Sequence, residues 1–127
     1  MNLNEKVIAI TGASSGIGEA TALLLARKNV KLALMARRAD RMEHLAGRIR
    51  DLGSEAMVVK MDVTSRKQVE AGFQSVYDRW QQIDVLVNNA GLMPVSYLDK
   101  LKVDEWDRMI DVNLKGLYTA LQRFCHK

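Results

Sequence analysis

Three glycines in one short segment have the spacing of a phosphate-binding loop. The segment follows an apolar run and reads Thr11-Gly12-Ala13-Ser14-Ser15-Gly16-Ile17-Gly18. Gly12 would permit a tight turn, Gly16 would let the backbone approach a pyrophosphate, and Gly18 would let the next helix pack closely. The N–H groups and dipole of that helix favour a bound anion, and Ser14 and Ser15 add hydroxyl donors. The segment therefore predicts a dinucleotide site, the alternative being a glycine-rich turn without a ligand. A P-loop nucleotidase is disfavoured because no Lys-Ser or Lys-Thr follows.

Two arginines follow the second apolar run, where the choice between NAD and NADP is usually made. Proteins that bind NAD carry an acidic residue at this point, which accepts hydrogen bonds from the ribose 2′-hydroxyl. Here Ala36 is followed by Arg37 and Arg38. Guanidinium groups suit phosphate oxygens, so the pair predicts NADP(H) in preference to NAD(H). The alternative is an exposed arginine pair at the start of a helix.

Short apolar runs alternate with longer amphipathic stretches along the chain. We predict strands at 6–11, 31–36, 56–61 and 84–88, and helices at 17–28, 39–52, 65–82 and from about 104 to 127. Strands that alternate with helices at this spacing form a parallel sheet with right-handed crossovers. The segment 91–103, which follows the last strand, lies where α/β proteins place loops that contact ligands.

The predicted helices carry apolar stripes and recognisable ends. In the second helix the stripe consists of Met42, Leu45, Ile49 and Leu52, and in the third of Val69, Phe73, Val76 and Trp80. Ser65 and Gln68 have the spacing of a capping box, in which each side chain satisfies the other's backbone N–H group. Gly53 follows the second helix, where a left-handed residue is expected.

Composition and charge exclude several classes of function. A length of 127 residues, with 48% hydrophobic and 27% charged residues, suits one globular domain. There is neither a signal-peptide profile nor an apolar run of membrane-spanning length, so we expect no membrane partner. The net charge of +4 comes from basic residues interspersed with acidic ones, which argues against a nucleic-acid partner.

The cysteine and histidine content predicts the compartment and argues against a metal. The single cysteine, Cys125, cannot form an internal disulfide, so we expect a cytoplasmic location. His44 and His126 have no partner at metal-ligand spacing, and we predict no metal site.

Four motifs in the same order resemble those of the short-chain dehydrogenase/reductase family. The glycine segment is followed by Asp62-Val63, by Asn88-Asn89-Ala90-Gly91 and by Asn113 within Asp111-Val-Asn-Leu-Lys-Gly116. The resemblance covers the whole chain. It implies a Rossmann-type doubly wound parallel sheet of about four strands in the order 3-2-1-4, with helices on both faces. We expect residues 1–127 to form one domain of this kind, truncated relative to the family.

The resemblance also implies roles for these residues. Asp62 would accept a hydrogen bond from the adenine amino group and Val63 would lie against the ring, although Asp62 could also help to cap the next helix. Asn89 would lie nearest the cofactor and Asn88 would be more structural, the alternative for this motif being a plain turn. The predicted cofactor-binding residues are therefore Gly12, Ser14, Ser15, Gly16, Ile17, Gly18, Arg37, Arg38, Asp62, Val63, Asn89, Ala90 and Gly91.

Family members transfer hydride between a nicotinamide cofactor and a carbonyl or alcohol carbon, using an Asn-Ser-Tyr-Lys set. Asn113 would be the first member of this set, and its main-chain carbonyl would hold a water in a proton relay. The alternative is an ordinary surface asparagine. The Tyr-x-x-x-Lys pair is missing, because the fourth residues after the tyrosines are Gln81, Leu101 and Gln122. We therefore expect an NADP(H)-binding portion of an oxidoreductase that is inactive alone, its substrate engaged only in the complete enzyme. The alternatives are a stand-alone dinucleotide-binding module and an interaction or assembly fragment.

The fourth predicted strand is apolar on both faces, as interior strands are. If no fifth strand covers it, it forms an exposed hydrophobic edge, which favours pairing with another chain. We therefore expect a homo-oligomer.

Overall fold

The computed structural model describes residues 3–14 and 16–89, which form a parallel sheet flanked by helices. The strands are β1 (Val7–Thr11), β2 (Lys31–Ala36), β3 (Glu55–Lys60) and β4 (Val85–Asn88), in the order β3-β2-β1-β4. In the register of the sheet, Ile8 lies between Leu32 and Val85. The α/β class and the strand order predicted from the sequence are confirmed, and the strand bounds differ from those predicted by at most one residue.

The helices connect successive strands. They are α1 (Gly16–Leu25), which continues as a short 3₁₀ helix (Ala26–Lys28), α2 (Ala39–Asp51) and α3 (Arg66–Trp80). The helix predicted from residue 104 and the loop predicted at 91–103 lie outside the described residues. Within the described part, each crossover therefore contains the helix that the sequence pattern predicts.

A hydrophobic core lies on each face of the sheet, because alternate residues of a strand point to opposite faces. Ile8 and Ile10 of β1 join the core beneath α1 and α2, whereas Val7 and Ala9 join the core beneath α3. The two cores place helices on both faces, as predicted. They also explain why β1 is buried at every position and reads as an unbroken apolar run.

The predicted helix stripes are confirmed except at Leu52, and Trp80 packs against the core beneath α3. The fully buried members are Met42 and Ile49 of α2 and Val69, Phe73 and Val76 of α3. Trp80 is only partly buried at the end of α3, where the guanidinium carbon of Arg79 lies 5.2 Å from its ring centroid. The placement of Leu52 on the inner stripe was wrong, since it is 42% exposed. Leu52 is the C-cap of α2 and still has a helical φ of −85°, but its side chain lies beyond the buried core at the end of the helix.

The end of α2 has the geometry predicted from Gly53. Gly53 has a φ of +100° and donates to the carbonyl of Arg50 at 3.0 Å, while Ser54 donates to the carbonyl of Ile49 at 3.4 Å. This pair of bonds is the Schellman motif. The buried hydroxyl of Ser54 then accepts from the N–H of Val30 at 3.0 Å and donates to the carbonyl of Ala26 at 2.6 Å. One serine thus joins the ends of α1 and α2 to the start of β2.

One of the two hydrogen bonds of the predicted capping box is present at the start of α3. Ser65 is the N-cap, and its hydroxyl accepts from the N–H of Gln68 at 3.3 Å. The reciprocal bond is absent within the described residues, because the N–H of Ser65 donates to the carbonyl of Asp62 at 3.0 Å. The side chain of Gln68 instead accepts from the N–H of Asp62 at 2.9 Å. The N–H of Ser65, which would donate to Gln68 in a capping box, thus belongs to the turn before the helix.

Candidate cofactor site

The glycine loop leaves β1 and is held against the end of β2. The N–H of Gly12 donates to the carbonyl of Met35 at 2.8 Å. Gly12 and Gly16 have φ values of +67° and +62°, a region that other residues enter at a cost in free energy. Helix α1 begins at Gly16, so its first N–H groups lie at the end of this loop. The loop therefore combines the turn and the helix start that the glycine spacing predicts.

Gly18 allows α1 to approach the loop and β4. A Cβ atom at this position would collide with the carbonyl oxygen of Gly12 and would lie 2.7 Å from Nδ2 of Asn89. The glycine spacing predicts close packing of the helix at Gly18. The structure locates that close approach at the loop backbone and at the residue after β4.

A hydrogen-bond network joins the glycine loop to the end of β4. Thr11 is fully buried, and its hydroxyl donates to Oδ1 of Asn88 at 3.1 Å. The same hydroxyl accepts from the backbone N–H of Asn89 at 3.0 Å. Nδ2 of Asn89 donates to the carbonyl of Gly12 at 3.2 Å. Thr11 thus joins both asparagines to the start of the glycine loop, and Asn89 also bonds the loop directly. Thr11 was not among the predicted site residues, although a hydroxyl at the end of an apolar strand was a usable signal.

The arginine pair follows β2, at the same edge of the sheet as the glycine loop that follows β1. Arg37 and Arg38 are both exposed, and Arg38 is the N-cap of α2, without a capping bond from its side chain. Within residues 3–14 and 16–89, neither side chain forms an ion pair. Both side chains are therefore accessible from solvent beyond the end of β2, which fits an anion site and equally an exposed pair at a helix start.

Asp62 and Val63 follow β3 in a tight turn. Oδ1 of Asp62 accepts from the N–H of Thr64 at 2.9 Å and from its hydroxyl at 2.7 Å. The carboxylate therefore shapes the turn that leads into α3, while the cap itself belongs to Ser65. Val63 is 8% exposed and belongs to the core beneath α3, so its backbone or a small apolar edge is what a ligand could touch.

These segments lie at one edge of the sheet, because the carboxyl ends of parallel strands point the same way. The loop after β1 contacts β2 through Gly12 and β4 through Asn89, and the N–H of Met61 after β3 donates to the carbonyl of Ala36 at 3.0 Å. Ile17 lies in the first turn of α1 with 76% of its surface exposed. The predicted residues Ser15, Ala90, Gly91 and Asn113 lie outside the described residues.

Among residues 3–14 and 16–89, no group of three or more His, Cys, Asp or Glu side chains could hold a metal ion. No helix in these ranges is both long enough and apolar enough to cross a bilayer.

Known proteins with similar sequences are oxidoreductases. A family profile described as short chain dehydrogenase matches residues 6–127. The chain is 46% identical over 121 residues to an uncharacterized oxidoreductase of Listeria innocua, in an alignment that covers 95% of this chain and 49% of that protein. The chain spans about half the length of the bacterial oxidoreductases it matches.

Solved structures share the fold over nearly the whole chain. An alcohol dehydrogenase from the archaeon Thermococcus sibiricus, complexed with 5-hydroxy-NADP, is 41% identical with a TM-score of 0.92, covering 97% of this chain and 53% of that one. An NAD⁺-bound xylitol dehydrogenase is 31% identical with a TM-score of 0.94, covering 99% of this chain and 49% of that one. The parallel sheet in the order β3-β2-β1-β4 is therefore a Rossmann-type arrangement.

Proposed function

Because the chain belongs to the short-chain dehydrogenase family, we propose that it is the NADP(H)-binding portion of an oxidoreductase acting on a carbonyl or alcohol substrate. When bound, the cofactor supplies or accepts the hydride. The observation that carries this proposal is the glycine loop, in which Gly12 and Gly16 have positive φ values and α1 begins at the second of them. An anion at that helix start would be stabilised by free N–H groups and by the helix dipole.

The shape of the loop supports a pyrophosphate at this position. Apart from its chain neighbours and the backbone of α1, no described atom lies within 4 Å of the place where a Cβ of Gly16 would stand, so the loop is open on that side. The exposed side chain of Ile17 adds an apolar surface beside the opening. Ser14 and Ser15 would add hydroxyl donors. These features fit a ligand that combines phosphate groups with flat apolar rings.

The preference for NADP(H) rests on Arg37 and Arg38. Solved structures similar to this chain include one with an NADP analogue and one with NAD⁺, so family membership leaves the choice open. The exposure of both arginines and the lack of an acidic residue directly after β2 favour a 2′-phosphate. Asp62 and Val63 would then hold the adenine, and Asn89, Ala90 and Gly91 would lie near the ribose.

The proposed role is cofactor binding without turnover by these 127 residues alone. They contain no Tyr-x-x-x-Lys pair to act as general acid/base, and Asn113 is the one residue assigned to the proton relay. A stand-alone dinucleotide-binding module differs from this proposal only in having no catalytic partner segment. Self-association and a cytoplasmic location remain predictions from the sequence.

Calorimetric titration of the 127-residue chain with NADPH and with NADH tests the proposal. We expect saturable binding that prefers NADPH. Arg37→Asp should lower the NADPH affinity by roughly 10- to 100-fold and favour NADH, since a charge-assisted hydrogen bond is worth about 1.5–3 kcal/mol. Arg27→Asp makes the same charge change in the exposed 3₁₀ helix before β2, at the opposite edge of the sheet, and should leave the preference unchanged.

Two outcomes contradict the proposal in different ways. An unchanged ratio of NADPH to NADH affinity in Arg37→Asp would show that the arginine does not select the cofactor. A folded chain that binds neither dinucleotide would favour the interaction or assembly fragment instead.

A further inference from the structure

The turn between β3 and α3 is held by hydrogen bonds that converge on Asp62. The carboxylate accepts from the N–H and the hydroxyl of Thr64 at 2.9 and 2.7 Å, and the carbonyl accepts from the N–H of Ser65 at 3.0 Å. The N–H of Asp62 donates to Oε1 of Gln68 at 2.9 Å. The backbone and the side chain of this aspartate are therefore both restrained.

The bond that Asp62 donates to Gln68 reaches further into α3 than the others. Thr64 belongs to the turn itself and Ser65 is the N-cap of α3, so their bonds shape the turn and join it to the start of the helix. Gln68 lies in the first turn of α3, next to Val69, which is fully buried in the core. Its side chain thus connects the turn to a helix that the core holds in place, while Met61 connects the same turn to β2.

We propose that Gln68 is a positioning residue for the adenine end of the cofactor site. The inference rests on the proposed function, in which Asp62 accepts a hydrogen bond from the adenine amino group. A turn that is tied to α3 presents the carboxylate in one orientation before the ligand arrives. The ligand then loses less free energy in ordering the site, which is the usual benefit of preorganisation.

The helix offers a matched control for this residue. Gln74 is also exposed on α3, and its Nε2 donates to Oδ1 of Asp78 at 2.9 Å, within the helix. Gln68→Ala and Gln74→Ala therefore remove the same side chain from the same helix. Only the first removes a bond to the turn that carries Asp62.

The test compares NADPH with its hypoxanthine analogue, which has an oxygen in place of the adenine amino group. We expect Gln68→Ala to weaken NADPH binding roughly three- to tenfold, the effect of one hydrogen bond of about 1 kcal/mol. The analogue lacks the amino donor to Asp62 and should lose much less. Gln74→Ala should change neither affinity.

Each result has a distinct meaning. A loss confined to NADPH supports the positioning role. Equal losses for both ligands would show general loosening of the chain, and no loss would show that Asp62 is oriented without Gln68; either result overturns the inference. If the unaltered chain bound neither ligand, the proposed function itself would fail.

Discussion

Replacing Gly18 with alanine should destabilise the chain, although alanine is the better helix former. Gly18 is the third residue of α1 and is buried. The added methyl group would collide with the carbonyl oxygen of Gly12 and would lie 2.7 Å from Nδ2 of Asn89. The nearer atom belongs to the backbone of a loop with a positive φ, so it cannot move aside as the end of a flexible side chain can.

The opposing free energies can be compared. Alanine gains up to about 1 kcal/mol over glycine in a helix interior, and less in a first turn. Overpacking costs about 1–3 kcal/mol, and displacing Asn89 would weaken its bond to the Gly12 carbonyl, worth about 1 kcal/mol. The free energy of unfolding should therefore fall by roughly 1–3 kcal/mol. The affinity for NADPH should fall as well, because α1 must shift at the proposed phosphate site.

Urea unfolding followed by circular dichroism measures the effect, with Gly47→Ala as the control. Gly47 lies inside α2, and no described atom lies within 4 Å of its Cβ position, so this variant should gain up to about 1 kcal/mol. Opposite signs for the two variants would support the steric argument. If Gly18→Ala were as stable as the unaltered chain while Gly47→Ala gained stability, the contact between α1 and the glycine loop would not be as tight as the structure indicates.

Three further substitutions test other contacts by the same unfolding measurement. Ser54→Ala leaves two buried backbone groups without their partner and should lower the free energy of unfolding by about 1–3 kcal/mol. Ser75→Ala removes a bond within α3 and should change it by about 0.5 kcal/mol or less; equal effects would contradict the role of Ser54 in joining the helix ends to β2. Thr11→Val keeps the shape but removes the hydroxyl that contacts both asparagines at the end of β4, and we expect it to lower the free energy of unfolding by about 1–3 kcal/mol. A loss below about 0.5 kcal/mol would count against that network. Gln81→Gly should stabilise the chain by up to about 1 kcal/mol, because Gln81 has a φ of +57° at the end of α3. A loss of stability would show that the contacts of its side chain outweigh the cost of that backbone conformation.

Much of the fold was predictable from local patterns. A strand that is buried on both faces needs apolar side chains at successive positions, and β1 and β2 show this directly in the sequence. Helix ends depend on a few neighbouring residues, so Gly53 and Ser65 were identified without knowledge of the fold. Leu52 was misplaced because periodicity shows which face of a helix a residue lies on, but not whether the core extends to the last turn.

The candidate site was predictable as a set of motifs but not as a network. Thr11 and Asn89 are separated by 78 positions, and they meet because β4 pairs with β1 in one register. Gln68 accepts from the N–H of Asp62 because the N–H of Ser65 already donates within the preceding turn. The spacing of Ser65 and Gln68 in the sequence does not reveal this exchange of donors. The contacts that Thr11 and Gln68 make with a motif from another part of the chain could therefore not be identified from the sequence.

The sequence by itself determined the order of strands and helices, the glycine loop and the charge of the residues after β2. These properties follow from side-chain types at fixed local spacing, which act on the backbone within a few residues. The tertiary structure decided that Gly18 touches Gly12 and Asn89, and that Thr11 joins β1 to the end of β4. Such contacts depend on strand register and on the distance between a helix and the sheet, and both are set by the packing of the two cores as a whole.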